Sequence, residues 1–146
     1  MSEQSDYLVR IERTFAAPAE EVFDAWTSPE VMRRWLHCAS DWDTPVAEVD
    51  LRVGGKVRVV MRKPDGSESG MEGEYTQIER PHRLVMTWTF HDDPANEQLM
   101  ELSFSEAEGA TTVLLLNSGI STDARRESQD EGWRGCLDQL ERALAT

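Results

Sequence analysis

Near its C-terminus the chain reads Glu131-Gly-Trp-Arg-Gly-Cys-Leu-Asp-Gln-Leu-Glu-Arg-Ala-Leu144. Trp133, Cys136, Leu137, Leu140 and Leu144 recur at i, i+3, i+4, i+7 and i+11, which is one apolar stripe of an α-helix. Arg134, Asp138, Glu141 and Arg142 fall on its other face. The pattern predicts a long helix beginning at about Thr122. A lone helix with one apolar stripe must bury it against the apolar face of another layer. The sequence upstream says what that layer is.

From about Val46 to Asn117 the hydrophobic period is two. Ala47, Val49 and Leu51 alternate with Glu48, Asp50 and Arg52, and Val57, Val59 and Met61 with Arg58 and Arg62. Leu84, Met86, Trp88 and Phe90 alternate with Val85, Thr87 and Thr89; Met100, Leu102 and Phe104 alternate with Glu101 and Ser103. Turn residues separate the runs: Gly54-Gly55, Pro64-Asp65-Gly66, Arg80-Pro81-His82, Asp92-Asp93-Pro94 and Glu108-Gly109. This reads as a six-stranded antiparallel meander, to which Tyr7–Phe15 adds a seventh strand. Between them lie two short helices. Pro18 opens one at its first position, with Ala19, Val22, Phe23 and Trp26 as its stripe. Ser28 caps the other ahead of Pro29, and Met32, Trp35 and Leu36 share its face. The expected class is α+β: a curved antiparallel sheet with two short helices after strand one and a long C-terminal helix. The last strand, Thr111–Leu116, is apolar on both faces, so Leu114 and Leu116 raise the expectation of a homodimer contact.

A chain of 146 residues makes one domain, expected over residues 7–146 with residues 1–6 frayed. Fifteen basic against 28 acidic residues give a net charge of −13, a field that repels nucleic acid and anionic membranes. The densest basic cluster, Lys56, Arg58, Arg62 and Lys63, is flanked by acidic residues. No run reaches the ~20 apolar residues of a membrane span. No secretory signal follows Met1, so a cytoplasmic location is expected, with Cys38 and Cys136 reduced.

Conventional catalytic motifs are missing. His37, His82 and His91 stand apart, without His-x-x-x-His or Cys-x-x-Cys spacing, so no metal is expected. Gly54-Gly55 joins strands and opens no helix, which excludes a phosphate loop, and there is no Gly-x-Ser-x-Gly elbow. Glu48, Asp50 and Arg52 share one strand face near Lys56 and Arg58. Facing a cavity, such a carboxylate would serve as acid or base; facing outward, the set is surface ion pairs. The apolar opposite face favours the second reading.

The runs Arg13-Thr-Phe-Ala-Ala-Pro18, Val22-Phe-Asp-Ala-Trp26, Pro29-Glu30 with Trp35, Asp50-Leu-Arg-Val-Gly-Gly55, Pro64-Asp-Gly66, Gly73-Glu-Tyr75, Pro81 to Trp88 and Gly132-Trp133 to Leu137-Asp138 occur in that order. Together they resemble the single-domain bacterial homologues of the activator of the 90-kDa heat-shock-protein ATPase, within the START-like (SRPBCC) superfamily. The resemblance spans about Leu8 to Leu144. It implies a helix-grip fold whose sheet grips the C-terminal helix around a cavity. It also implies binding of a small apolar or amphipathic molecule without a cofactor. A cyclase or aromatase using the same pocket is the alternative, and chaperone regulation a third. Nothing here corresponds to the eukaryotic activator's N-terminal domain, so chaperone stimulation is not expected.

Within such a cavity, Trp35, Met61, Met86, Trp88, Met100 and Trp133 are candidate lining residues, because Met adapts to irregular shapes and Trp supplies flat surface. Phe104 and Leu137 join them from the same stripes, and His37 is a candidate polar handle near the mouth. Any single stripe residue reads as filled core first, whereas for the set the resemblance implies a cavity. Gly132 costs about 1 kcal/mol inside a helix relative to Ala, so it marks either a tight contact or open space for a ligand.

Overall fold

A computed structural model describes residues 7–145; the frayed terminus expected over residues 1–6 lies outside them. The chain runs β1 (Tyr7–Phe15), α1 (Ala19–Thr27), α2 (Pro29–Trp35), β2 (Asp43–Val49), β3 (Lys56–Arg62), β4 (Glu68–Glu79), β5 (Arg83–Phe90), β6 (Gln98–Ala107), β7 (Ala110–Ile120) and α3 (Asp123–Ala145). The strands form one antiparallel sheet in the order β1-β7-β6-β5-β4-β3-β2. β2 to β7 make the expected meander, and β1 closes its far edge on β7. The sheet curves around α3, giving the helix-grip arrangement.

Period-two alternation decides which face is inside. Val57 and Val59 on β3, Leu84, Met86 and Trp88 on β5, Met100, Leu102 and Phe104 on β6, and Val113 and Leu115 on β7 are all buried. The helical stripes meet them: Val22, Phe23 and Trp26 from α1, Met32 and Trp35 from α2, and Trp133, Cys136, Leu137 and Leu140 from α3. Leu114 and Leu116 are half-buried on the outer face. They stand opposite Glu12 and Arg10 on β1 and Ser103 and Glu101 on β6.

Three local readings are corrected. Leu51 is not part of the core: β2 ends at Val49, and Leu51 is 41% exposed. The chain turns there because Asp50 N–H donates to the Lys56 carbonyl and Gly55 N–H to the Arg52 carbonyl. A Cβ on Gly55 would lie 2.0 Å from the Asp50 carbonyl oxygen, so glycine is required. Pro18 is the N-cap of α1 with extended backbone, one position ahead of its expected place. Ser28 is the N-cap of α2, but its side chain makes no capping bond.

The sequence pattern hid a buried amide cluster that fixes α3. Gln129 Nε2 donates to Asn117 Oδ1 at 2.7 Å and to Gln98 Oε1 at 2.9 Å. Asn117 Nδ2 donates to Gln98 Oε1 at 3.0 Å, and Trp133 Nε1 to Asn117 Oδ1 at 3.3 Å. The three amides are buried, so their polar atoms depend on one another. Replacing Asn117 by Ala takes the acceptor from Trp133 Nε1 and from one Gln129 hydrogen, and leaves Gln98 and Gln129 to hold each other alone. The expected loss is about 2–4 kcal/mol of unfolding free energy in urea titration. A loss below about 0.5 kcal/mol would show that the cluster does not hold the helix.

Candidate ligand cleft

α3 leaves the concave face incompletely filled at one end. A cleft of about 510 Å³ opens between the helix, the loop after α2, and the ends of β3, β4 and β5. Met61, Met71, Phe90, Trp42 and Trp133 supply its apolar wall, while Lys63, Glu68, His91, Arg125 and Gln129 supply polar groups. Lys63 Nζ lies 5.5 Å over the Trp42 ring, and Arg125 pairs with Asp92 at 3.2 Å and Asp93 at 3.3 Å. His91 packs where Gly70 has no side chain, since a Cβ there would come within 2.2 Å of Nδ1.

Both cysteines line this cleft as free thiols. Cys136 Sγ donates to Cys38 Sγ at 3.9 Å, and Cys38 Sγ donates to Met61 Sδ at 3.9 Å. The bond from Cys136 holds the Cys38 thiol below its ordinary pKa, with a smaller contribution from Lys63. The same contact, together with burial, pushes Cys136 up.

The two helix glycines divide the roles that the sequence assigned to Gly132 alone. Gly132 lines the cleft, and a Cβ there would meet only Cys38 Sγ at 3.4 Å. Gly135 is the tight contact: a Cβ there would lie 2.2 Å from the Cys38 carbonyl oxygen.

A much smaller void of about 10 Å³ is bounded by Trp26, Met32, Leu36, Val57, Tyr75, Met86, Trp88, Met100 and Trp133. Trp133 borders both spaces. Four indoles run through this region. Trp26 meets Trp35 at 4.7 Å and Trp133 at 6.0 Å between centroids, and Trp133 meets Trp88 at 5.9 Å.

Among the sequence candidates, Met61, Gly132 and Trp133 border the cleft, and Met86, Trp88, Met100 and Trp133 border the void. Trp35, Phe104 and Leu137 are filled core and border neither; Trp35 Nε1 instead donates to the Ala25 carbonyl at 2.8 Å. His37 is buried away from both spaces. The Thr44 hydroxyl donates to the Leu36 carbonyl at 2.8 Å, so His37 Nδ1, also 2.8 Å from that hydroxyl, carries the proton it donates. Glu48, Asp50 and Arg52 are exposed. Arg52 pairs with Asp50 at 2.8 Å, Arg58 with Glu48 at 3.8 Å, and Lys56 with Glu74 rather than with either. Sequence reasoning missed Trp42 and His91, which lie outside the strands, and Met71 and Tyr75 on β4.

The sequence model of the family described as Activator of Hsp90 ATPase homolog 1-like protein matches residues 16–145. The chain belongs to this family. Solved structures agree. An AHSA1 protein from Silicibacter pomeroyi is 25% identical, with 94% of this chain and 97% of that one covered and a TM-score of 0.83. A protein from Rhodobacter sphaeroides is 26% identical over 99% and 96% of the two chains, with a TM-score of 0.81. The AHSA1-like protein from Aeromonas hydrophila is 29% identical over 94% and 92%, with a TM-score of 0.76. The search of curated proteins found no match. Among the described residues, no helix is long and apolar enough to cross a membrane, and no group of three or more His, Cys, Asp or Glu side chains could hold a metal.

Two outcomes follow for the walls of the AHSA1-like cleft. Gly135→Ala forces the Cys38 backbone off the helix and costs about 2 kcal/mol or more. Gly132→Ala is neutral or stabilises by up to about 1 kcal/mol through helix propensity. Thermal denaturation of the two variants reads the difference, and equal melting temperatures refute it. Burial lowers the pKa of His37 below its ordinary value, with Asp43 opposing. The unfolded chain therefore takes up this proton first, and stability falls as the pH drops below about 6.5. His37→Asn keeps a donor toward Thr44 but cannot titrate, so its urea midpoint should fall less than the parent's between pH 7 and pH 5.

Proposed function

We propose that the protein binds one small apolar or amphipathic molecule in the cleft between α3 and the sheet and performs no chemistry on it. The observation that carries this reading is the cleft itself. Its volume of about 510 Å³ lies within the ~300–1,000 Å³ of small-molecule sites. Its floor of Met61, Met71, Phe90 and Trp133 is apolar and adaptable, while Lys63, His91 and Arg125 give a polar end at the rim. That division suits a molecule with an apolar body and a polar group.

One observation favours catalysis of the cyclase or aromatase type as a second reading. Tyr75 is buried with an unpartnered hydroxyl. Burial pushes its pKa up, so at neutral pH it is a proton donor and not a base. An enzyme here would work by polarising a substrate oxygen. The Hsp90 ATPase of the family description belongs to the family's namesake, and the cleft supports small-molecule binding instead.

Titration with 1-anilinonaphthalene-8-sulfonate tests the binding reading. Saturable one-to-one uptake is expected in the parent. Gly132→Leu places a side chain in the cleft, and its melting temperature should hold or rise while uptake falls about tenfold. A destabilised Gly132→Leu that binds the probe as the parent does would remove the cleft from consideration.

A further inference from the structure

Among the described residues, three buried side-chain polar atoms have no hydrogen-bond partner: Trp26 Nε1, Tyr75 OH and Trp88 Nε1. Native interiors leave few such atoms, and each asks for an explanation. Here the three belong to side chains in the wall of the same 10 Å³ void. They come from separate elements, α1, β4 and β5, so one local distortion does not account for all of them. Tyr75 is 1% exposed, Trp88 3% and Trp26 6%, so bulk water does not satisfy them.

The chemistry of the wall restricts what can. Indole N–H groups only donate, and the phenol also has a hydrogen to give. The wall therefore carries three side chains that each have a donor hydrogen without a partner. Its other side chains, Met32, Leu36, Val57, Met86 and Met100, offer no acceptor better than a thioether. Trp133 is already committed, donating to Asn117 Oδ1, which also receives Gln129. A volume of about 10 Å³ is room for one oxygen-sized atom. Counting the Tyr75 oxygen as the wall's acceptor, a water brings one hydrogen more than the lone pairs can take, and an alcohol fits only if every lone pair is used. A carboxylate would be buried without a cation, since none borders the void, at a large desolvation cost. A carbonyl oxygen has two lone pairs, no hydrogen and no net charge, so it can accept from two of the three donors and leaves the Tyr75 oxygen free to accept from the third.

We propose that Trp26, Tyr75 and Trp88 form a seat for one neutral carbonyl oxygen of the molecule held in the adjoining cleft. The seat rests on the small-molecule reading of that cleft and narrows the ligand to ketones, aldehydes, esters or amides with an apolar body. Trp133 lines both spaces and separates them, so a ligand that spans the cleft and the seat must displace its ring. Methionines on three elements line the void, and their flexible side chains let it enlarge around the carbonyl carbon.

Acetophenone and ethylbenzene are matched in shape and differ in the carbonyl, so their relative affinity isolates the seat. Water hydrates the ketone far better, so a donor-free apolar cavity prefers ethylbenzene. The seat's donors should equalise or reverse that order in the parent, measured by equilibrium dialysis. In Tyr75→Phe the ratio should move toward ethylbenzene by about fivefold or more. Removing an unpaired hydroxyl should leave the melting temperature of the empty variant unchanged or higher. Trp26→Phe is the second variant, with the same expected direction. The infrared carbonyl stretch of bound, ¹³C-labelled acetophenone should lie below its position in hexane. If both probes bind but their ratio is the same in the parent and in Tyr75→Phe, the seat is refuted and the cleft stands. If neither probe binds, and 1-anilinonaphthalene-8-sulfonate is also refused, the small-molecule reading fails together with the seat.

Discussion

Everything inside this protein depends on where α3 settles in the concave sheet. By itself the helix is a poor one, since two interior glycines, Gly132 and Gly135, each cost about 1 kcal/mol relative to Ala. Tertiary burial makes up the deficit. Trp133, Cys136, Leu137 and Leu140 are almost entirely removed from water, and a fully buried large apolar side chain contributes roughly 1.5–3 kcal/mol. Such burial alone would let a helix slide or rotate on an apolar floor. The Gln98–Asn117–Gln129 cluster removes that freedom, because its amides find partners in one register only. Gly135 then lets the loop after α2 lie directly on the helix, where any side chain would push Cys38 away.

With α3 held in this way, the cleft is what remains beyond its packed half. Leu137 and Leu140 are packed into the core, whereas Gly132, Ser128 and Arg125, toward the helix N-terminus, border open volume. Trp133 stands at the boundary, fixed through its N–H by Asn117 and through its ring by Trp26 and Trp88. The cluster that fixes the helix thus also fixes the partition between cleft and void. Stability and cleft geometry share residues here, so a change at Asn117 would alter the cleft wall at Trp133 without touching the cleft itself.

The architecture was legible because each element carries a strong period. Three helical stripes and a run of alternating strands, separated by Gly and Pro turns, admit few arrangements. The failures were local and had physical reasons. Alternation continues through Leu51, but the backbone bonds of the Asp50–Gly55 turn end β2 two residues earlier, and periodicity carries no information about that. The site was less legible, because a core position and a cavity position look the same on a stripe. Trp35 and Trp133 both follow helical spacing; only the packing of the surrounding elements buries one and leaves the other at a boundary. His37, next to a cleft residue in sequence, looked like a ligand handle, but its Nδ1–H donates to the Thr44 hydroxyl inside the core. Trp42 and His91 had no periodic pattern to reveal them. The pairing of Gly70 with His91 across β4 and β5 was a usable signal, since a glycine inside a strand often marks a close approach.

Tyr75 shows how a polar group can be visible in a sequence and still be passed over. It lies in the Gly73-Glu-Tyr75 run, and on an inward strand face a tyrosine passes for core. Its hydroxyl changes the account, because a phenylalanine would fill the same space without a desolvation penalty. Two tryptophans with free N–H groups beside the same void repeat that choice. Each unpaired donor costs on the order of 1–3 kcal/mol in the empty protein, and an acceptor bound at the proposed seat would relieve much of that cost. Binding there would couple to stability through atoms that contribute nothing to the empty fold. These donors are neutral, so recognition at the proposed seat would be insensitive to salt, whereas contacts with Lys63 and Arg125 at the rim would be screened. On that proposal the two ends of one ligand would be read by different physics, hydrogen bonding in a dry interior and charge at a wet edge.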